Sequence, residues 1–217
     1  MSPTAAKPSA RTKLLTAAVA VIRAQGYAAT TVDDLCATAG VTKGAFFHHF
    51  KSKDDLGVAA AEFWSDRSGA LFAGADYHRH ADPLDRVLGY IDFRKALLKG
   101  AVPEFTCLVG TMVQEAYETH PEIRDACAAS ITDHAARVEA DIADAMRVHR
   151  IKTDWTARSL ALHTQAVLQG AFILAKATGS AAVAAESVDH LRRYIVSLFT
   201  PSATPRPRAR RADHITE

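Results

Sequence analysis

The sequence predicts an all-α protein of about nine helices, in which a short three-helix unit precedes a larger helical body. Three observations carry that prediction. Apolar residues recur at three- and four-residue spacing through almost everything between the two ends. Thr or Ser followed three residues later by Asp marks helix starts at Thr31/Asp34 and Ser52/Asp55. No stretch shows the period-two alternation of a half-buried strand, and no internal repeat is found.

Taken in order, Leu14, Leu15, Ala18, Val21 and Ile22 stripe one face of a first helix over residues 11–25, and Gly26 is placed to end it. Thr31 opens a second helix that reaches only Ala39. Gly40 supplies a corner, and Thr42 caps a third helix of about two turns. From Lys53 a long fourth helix carries Leu56, Ala60, Phe63, Trp64 and Leu71. A polar stretch over 74–82 separates it from a fifth, which begins after Pro83, runs to about Gly100, and buries Leu84, Val87, Leu88, Ile91 and Leu98. Residues 102–105 read as a connection. A sixth helix takes 106–119, and Pro121 fits the first turn of a seventh that ends near Val148. An eighth over 154–178 is closed by Gly179, and a ninth runs from about Ala184 to Phe199. Residues 1–10 are expected to be a disordered arm, and the segment 201–217, containing PRPRARR, a disordered basic tail.

With 217 residues, 48% of them hydrophobic and 23% charged, the chain can bury a real core. The longest apolar runs are too short or too interrupted to cross a bilayer, and the first residues lack a signal-peptide core, so a cytoplasmic protein without a membrane partner is expected. Cys36, Cys107 and Cys127 are odd in number and lack metal spacing, which predicts free thiols. The net charge of +2 hides an asymmetry. Residues 1–53 carry seven Lys or Arg against Asp33 and Asp34, whereas 54–200 carry five more acidic than basic residues. A basic front on an acidic body suits a polyanion at one end only.

The stretch TTVDDLCATAGVTKGAFFHHF, residues 30–50, shows what that end can do. Two short helices joined by a glycine corner form a helix-turn-helix, in which small buried residues fix the crossing angle and the second helix enters the DNA major groove. Val32, Leu35, Cys36 and Ala39, facing Val41, Phe46 and Phe50, supply the inner face. Thr42, Lys43, Gly44, Ala45, Phe47 and His48 are then left at the front of the third helix. Lysine can donate to guanine, the small pair permits close approach, and Phe47 can pack on a thymine methyl. Thr31, His49, Lys53 and the amides opening the fourth helix suit phosphate, which anchors register without reading sequence. Plain packing gives the same helix pair. His48 and His49 point about 100° apart on a helix, which disfavours a shared metal, and His78 and His80 read as loop residues.

The run TTVDDLCATAGVTKGAFFHHFKSKDDL resembles the signature of the tetracycline-repressor (TetR) family of bacterial transcription regulators over about the first 60 residues. Phe47 departs from it, standing where that family usually has tyrosine, so a phosphate contact through a ring hydroxyl is missing. The resemblance implies a helix-turn-helix DNA-binding domain (11–56), a helical ligand-binding and dimerisation domain (57–200), a homodimer, and a small-molecule inducer. Candidate pocket residues are Phe63, Trp64, Tyr90, Phe93, Phe105, Cys107, Met112, Tyr117, Trp155 and Phe172, since apolar walls with a few polar tips make usable pockets. Each also reads as core.

Val188, Leu191, Ile195 and Leu198 keep 3-4-3 spacing, and Leu160, Val167, Leu168, Gly170 and Ala171 make the preceding helix apolar around much of its circumference. Two such helices in sequence favour a four-helix interface between protomers, although core burial gives the same pattern. Cys107, at the expected start of the sixth helix, is where a helix dipole favours thiolate. Its TCLVG context is similar to a Cys-Leu-Val stretch in TetR-family members that sense reactive electrophiles. A small buried thiol is the plainer reading.

No nucleophile–base spacing, phosphate loop or dinucleotide fingerprint points to an enzyme or a cofactor. The expected function is therefore a dimeric, ligand-responsive repressor of a palindromic double-stranded operator. A sequence-tolerant architectural DNA protein, using the basic ends, is the rival reading.

Overall fold

The computed structural model describes residues 8–200, and the expected tail (201–217) and most of the expected arm (1–10) lie outside that range. Ten α-helices and one 3-10 turn make up the described chain, with no β-strand among the described residues. They are α1 (Ala10–Gln25), α2 (Val32–Ala39), α3 (Lys43–His49), α4 (Lys53–Ala73), α5 (Pro83–Ala96), α6 (Val102–Phe105), α7 (Leu108–Ala116), α8 (Pro121–Val148), α9 (Ala157–Thr178) and α10 (Ala181–Phe199). The 3-10 turn, Asp76–Arg79, lies in the polar stretch after α4.

The count exceeds nine because the 100–107 region is built differently from the expectation. Helix α5 stops at Ala96, and the backbone turns at Gly100, whose φ of 82° suits a residue without a Cβ. The supposed connection is a single helical turn: Pro103 sits in its first turn, and the Glu104 carboxylate accepts from the Ala101 amide at 2.9 Å. Four residues are too few for periodicity to register. Thr106 and Cys107 are extended, so the next helix starts at Leu108 rather than Thr106 and ends at Ala116. Helix α9 likewise starts after Thr156, which forms a reciprocal cap with Ser159, and not at Asp154.

Two large apolar clusters lie one behind the other. The front cluster joins Leu14 and Ile22 of α1, Leu35 of α2, Phe46 of α3 and Leu56 of α4 to Leu108, Met112 and Ile123 of α7 and α8. The helix-turn-helix end therefore has no core separate from the body. Gly57 of α4 makes the approach possible, since a Cβ there would lie 3.0 Å from Ile123 and 3.1 Å from Tyr27. The rear cluster packs Phe72, Tyr90, Ile91 and Ile142 against Leu160 and Leu168 of α9 and Val188, Leu191 and Ile195 of α10. Helices α4 and α8 run through both clusters and tie them together.

Candidate functional site

The front of the molecule is built as its residue pattern requires. The Thr31 hydroxyl accepts from the Asp34 amide at 3.1 Å, while the Asp34 carboxylate accepts from the Thr31 amide at 2.9 Å, a reciprocal cap that holds the Asp34 carboxyl below its ordinary range. Helix α2 ends at Gly40, left-handed at φ 62°, ψ 44°. Thr42 then caps α3 by accepting from the Ala45 amide at 3.2 Å. Phe46 is fully buried and Phe50 nearly so, their rings 5.8 Å apart, and both lock the inner side of α3. On the other side Thr42, Lys43, Gly44, Phe47 and His48 are exposed, while Ala45 and His49 are half-buried. Phe47 is 57% exposed, an unusual position for a phenylalanine that packs only edge-on to its neighbour Phe46.

Three details qualify the expected phosphate and base contacts. The Lys43 ammonium is paired with the Asp33 carboxylate at 2.8 Å, which raises the lysine's pKa. Lys53 donates to the Tyr27 carbonyl at 3.2 Å and stands 4.4 Å from that ring, so only part of its ammonium is free. At the start of α4 the Lys51 and Asp55 amides already have acceptors, the Asp55 carboxylate and the Ser52 hydroxyl. Those two amides are not open to phosphate. Sequence reasoning also missed Asp33 as a partner of Lys43, although the two lie ten residues apart on adjoining helices.

Behind this unit lies a cavity of about 570 Å³, walled by α1, α4, α5, α6, α7, α8 and α9. Of the ten expected pocket residues, Trp64, Phe105 and Cys107 line it. Tyr90 lines a neighbouring cavity of about 640 Å³ that shares Phe72 and His134 with the first. The other six line neither cavity. Met112 is fully buried in the front cluster, Tyr117 is 57% exposed at the end of α7, and Trp155 packs on Phe199. Phe63 lies beneath Arg67, Phe93 packs on Phe72, and Phe172 is buried beside Phe105. The polar lining was missed. Arg23, Arg67, Arg94, His134, Gln165 and Gln169 all reach this wall from helices whose apolar stripes gave no reason to single them out.

The polar wall is organised around Tyr90. Its hydroxyl accepts from Arg94 Nε at 3.0 Å and Gln165 Nε2 at 3.1 Å, which fills both lone pairs. Its proton therefore goes to His134 Nε2 at 3.0 Å, and that nitrogen must be unprotonated. Burial, then the charges of Arg94 and Arg137, push the His134 pKa down to about 3, consistent with a neutral ring. Cys107 caps α7, its sulfur accepting from the Gly110 amide at 3.4 Å.

Comparison with known proteins fixes the kind of molecule. Residues 14–60 match the family of bacterial regulatory proteins, tetR family, and residues 83–191 match the tetracyclin repressor-like C-terminal domain. The chain belongs to the TetR family. Among relatives, the transcriptional regulator AcuR of Cereibacter sphaeroides is 28% identical over 106 residues, 49% of this chain and 48% of its own. The transcriptional repressor KstR2 of Rhodococcus jostii is 40% identical over 53 residues, 24% of this chain and 26% of its own. The chain thus spans less than half the length of the curated relatives it matches. A TetR-family regulator from Agrobacterium tumefaciens superposes with a TM-score of 0.76 at 21% identity, covering 85% of this chain and 96% of the other. One from Chloroflexus aurantiacus gives 0.74 at 25% identity, covering 86% and 94%. TetR-family members are DNA-binding transcriptional regulators.

For a TetR-family chain the expected interface residues need correction. Leu160, Val188, Leu191 and Ile195 are buried in the rear cluster, with Val167 and Leu198 packed against it, and Ala171 is buried beside Ala175 and Ala184. The spacing of Val188, Leu191 and Ile195 marks where α10 meets α9 and α5 within one chain, so the five buried side chains face the chain's own interior, while Val167 and Leu198 are half-buried. Gly170 faces outward, with nothing within 4 Å of where its Cβ would be. On its side of α9 the apolar residues Leu162, Ile173 and Leu174 are between 42% and 49% exposed. Tyr194 of α10 adjoins them, its ring 5.3 Å from that of His163.

Proposed function

We propose that this TetR-family chain acts as a homodimeric repressor that grips a palindromic operator through paired copies of α3 and is released by a small-molecule inducer held in the cavity behind. The observation that carries the reading is the contrast across α3: Phe46 is fully buried on one side while Phe47, Lys43 and Gly44 stand exposed on the other. A helix locked from beneath and bare on top is suited to a major groove, with Lys43 and Phe47 reading base edges and Thr31, Thr42 and His49 near phosphates.

Pairing is supported by the outward stripe of α9. Leu162, Ala166, Gly170, Ile173, Leu174 and Ala177 follow helical spacing on one exposed face, and burial against a second copy would take them out of water. Two copies of α3 related by a two-fold axis then meet successive major grooves about 34–36 Å apart. Inducer action is supported by α7. Its first turn, at Cys107 and Val109, lines the cavity, and its last turn carries Glu115, whose carboxylate accepts from the Ala28 amide at 2.7 Å in the turn between α1 and α2. Nine residues of helix thus connect the ligand wall to the base of the DNA-binding unit. A ligand shifts DNA binding only by its differential affinity for the two spacings of that unit.

Selection of bound sequences from a random duplex pool, followed by competition gels, tests this function. A regulator should prefer one palindrome over random duplex by about a thousandfold or more. Equal affinity for all duplexes would instead establish the sequence-tolerant architectural role.

A further inference from the structure

The cavity behind the helix-turn-helix has a charge pattern that its apolar lining conceals. Arg23 of α1, Arg67 of α4 and Arg94 of α5 reach its wall, against the single carboxylate of Glu104. None of the three guanidinium groups has a carboxylate within ion-pair distance among the described residues. Glu104 accepts from the Ala101 amide, and its charge acts on Arg23 only from beyond ion-pair distance.

Two of these arginines are held in place by neutral groups. Arg23 lies over the Trp64 ring at 5.0 Å, and its Nε is buried with no hydrogen-bond partner. A buried guanidinium N–H left unmet is expensive, and burial accordingly lowers the Arg23 pKa. Arg94 lies over Phe72 at 4.7 Å and gives Nε to Tyr90 and Nη2 to Gln165, leaving three of its five N–H donors uncommitted. Stacking on rings and bonding to neutral acceptors fixes each fork without neutralising it. The neutral His134 adds no counter-charge. Around this polar end, Val19, Leu71, Leu97, Val109 and Ile131 complete an apolar wall.

We infer that the inducer is an amphipathic organic acid, its carboxylate received by Arg23 and Arg94 and its apolar body lying along Trp64, Phe105 and Ile131. This inference rests on the proposed inducer function of the same cavity. The volume, about 570 Å³, lies within the usual range of small-molecule pockets, which suits an acid of roughly ten to twenty non-hydrogen atoms. Arg23 gives the acid its regulatory leverage. It belongs to α1 of the DNA-binding end, whereas Arg94 belongs to the body, so one carboxylate bridging the two guanidinium groups fixes how the front unit sits on the rest of the chain. Planar bidentate pairing makes guanidinium the better cation for this than ammonium.

The test uses the full chain and a panel of straight-chain carboxylates of eight to twelve carbons together with 4-phenylbutyrate, each matched by its primary amide. Isothermal titration calorimetry measures binding, and fluorescence anisotropy of a selected operator duplex measures release. At least one acid is expected to bind tenfold or more tighter than its amide. Arg23→Gln and Arg94→Gln should each remove that preference by weakening the acid far more than its amide, and Arg23→Lys should retain part of it. Circular dichroism melts identify any variant that fails to fold, and for such a variant the acid-to-amide ratio of the unsubstituted chain decides. Amides binding as well as acids overturns the inference, as does a panel in which no acid binds at about 1 mM. The underlying function fails separately: an acid that binds with the arginine dependence but leaves the operator bound would keep the anion site and remove its inducer role. Amides that bind and release the operator as well as their acids do would keep the inducer role and remove the anion site.

Discussion

Acid should destabilise this protein through His134, and the size of the effect follows from the Tyr90 network. The ring is neutral in the fold because its Nε2 accepts the Tyr90 proton and because burial and two arginines oppose its charge, taking its pKa from an ordinary 6.5 to about 3. Between those values the unfolded chain binds a proton that the folded chain does not, so stability is complete above about pH 6.5 and falls as pH falls. From pH 7 to pH 5 a single such group loses about 2 kcal/mol at about 1.4 kcal/mol per pH unit below 6.5, and partial solvent access to the half-buried ring reduces this to about 1–2 kcal/mol. Urea unfolding at pH 7, 6 and 5, at one protein concentration, reads it out. With an m-value of about 2–3 kcal/mol/M, the midpoint should drop by about 0.3–1 M more for the natural chain than for His134→Gln, whose amide oxygen can still accept from Tyr90. Parallel pH profiles for the two proteins, within about 0.3 kcal/mol, would refute the neutral-histidine assignment.

Four further outcomes are expected. Gly40→Ala should lower stability by about 1 kcal/mol, a few degrees in Tm, from left-handed backbone strain alone, because its Cβ would meet nothing within 4 Å; Gly40→Asn should be milder. Lys53→Ala should weaken every duplex and flatten the salt dependence, Lys43→Ala should change which sequence is preferred, and Asp33→Asn should tighten binding roughly two- to fivefold by releasing Lys43; equal losses on all sequences from both lysines would contradict this division. Leu174→Glu should yield a monomer by light scattering if the outward stripe of α9 is the contact between copies, and an unchanged mass would remove that face from consideration. Mass-spectrometric labelling should find Cys107 reacting faster than a denatured-state cysteine if it senses electrophiles; an ordinary rate, together with a normal inducer response in Cys107→Ser, returns it to a packing role.

The front of the chain was legible because its signals are local. Caps at Thr31 and Ser52, the corner at Gly40 and the buried Phe46 and Phe50 all act within a few residues, and each was found where spacing put it. The body was less so. Periodicity locates an apolar stripe but not what covers it, so the stripe through Val188, Leu191 and Ile195, read as an interface, proved to be the chain's own interior. The cavity was harder still. Arg23 and Gln165 are separated by more than a hundred residues, and nothing near either one marks it as wall. Only the packing of seven helices brings them together. Aromatic residues were reasonable candidates, yet three-dimensional filling sent Met112 and Phe172 inward and Tyr117 outward.

The apolar cluster that runs from Leu35 and Phe46 through to Met112 and Ile123 bears on how such molecules can be recombined. A chimera that exchanges only the first sixty residues for those of another regulator would mate two unrelated halves of one interior. Transplanting the reading head requires carrying the facing positions of α7 and the start of α8 with it, and one of them, Val109, also lines the cavity. Exchange of the front unit and reshaping of the cavity are therefore tied together at this seam.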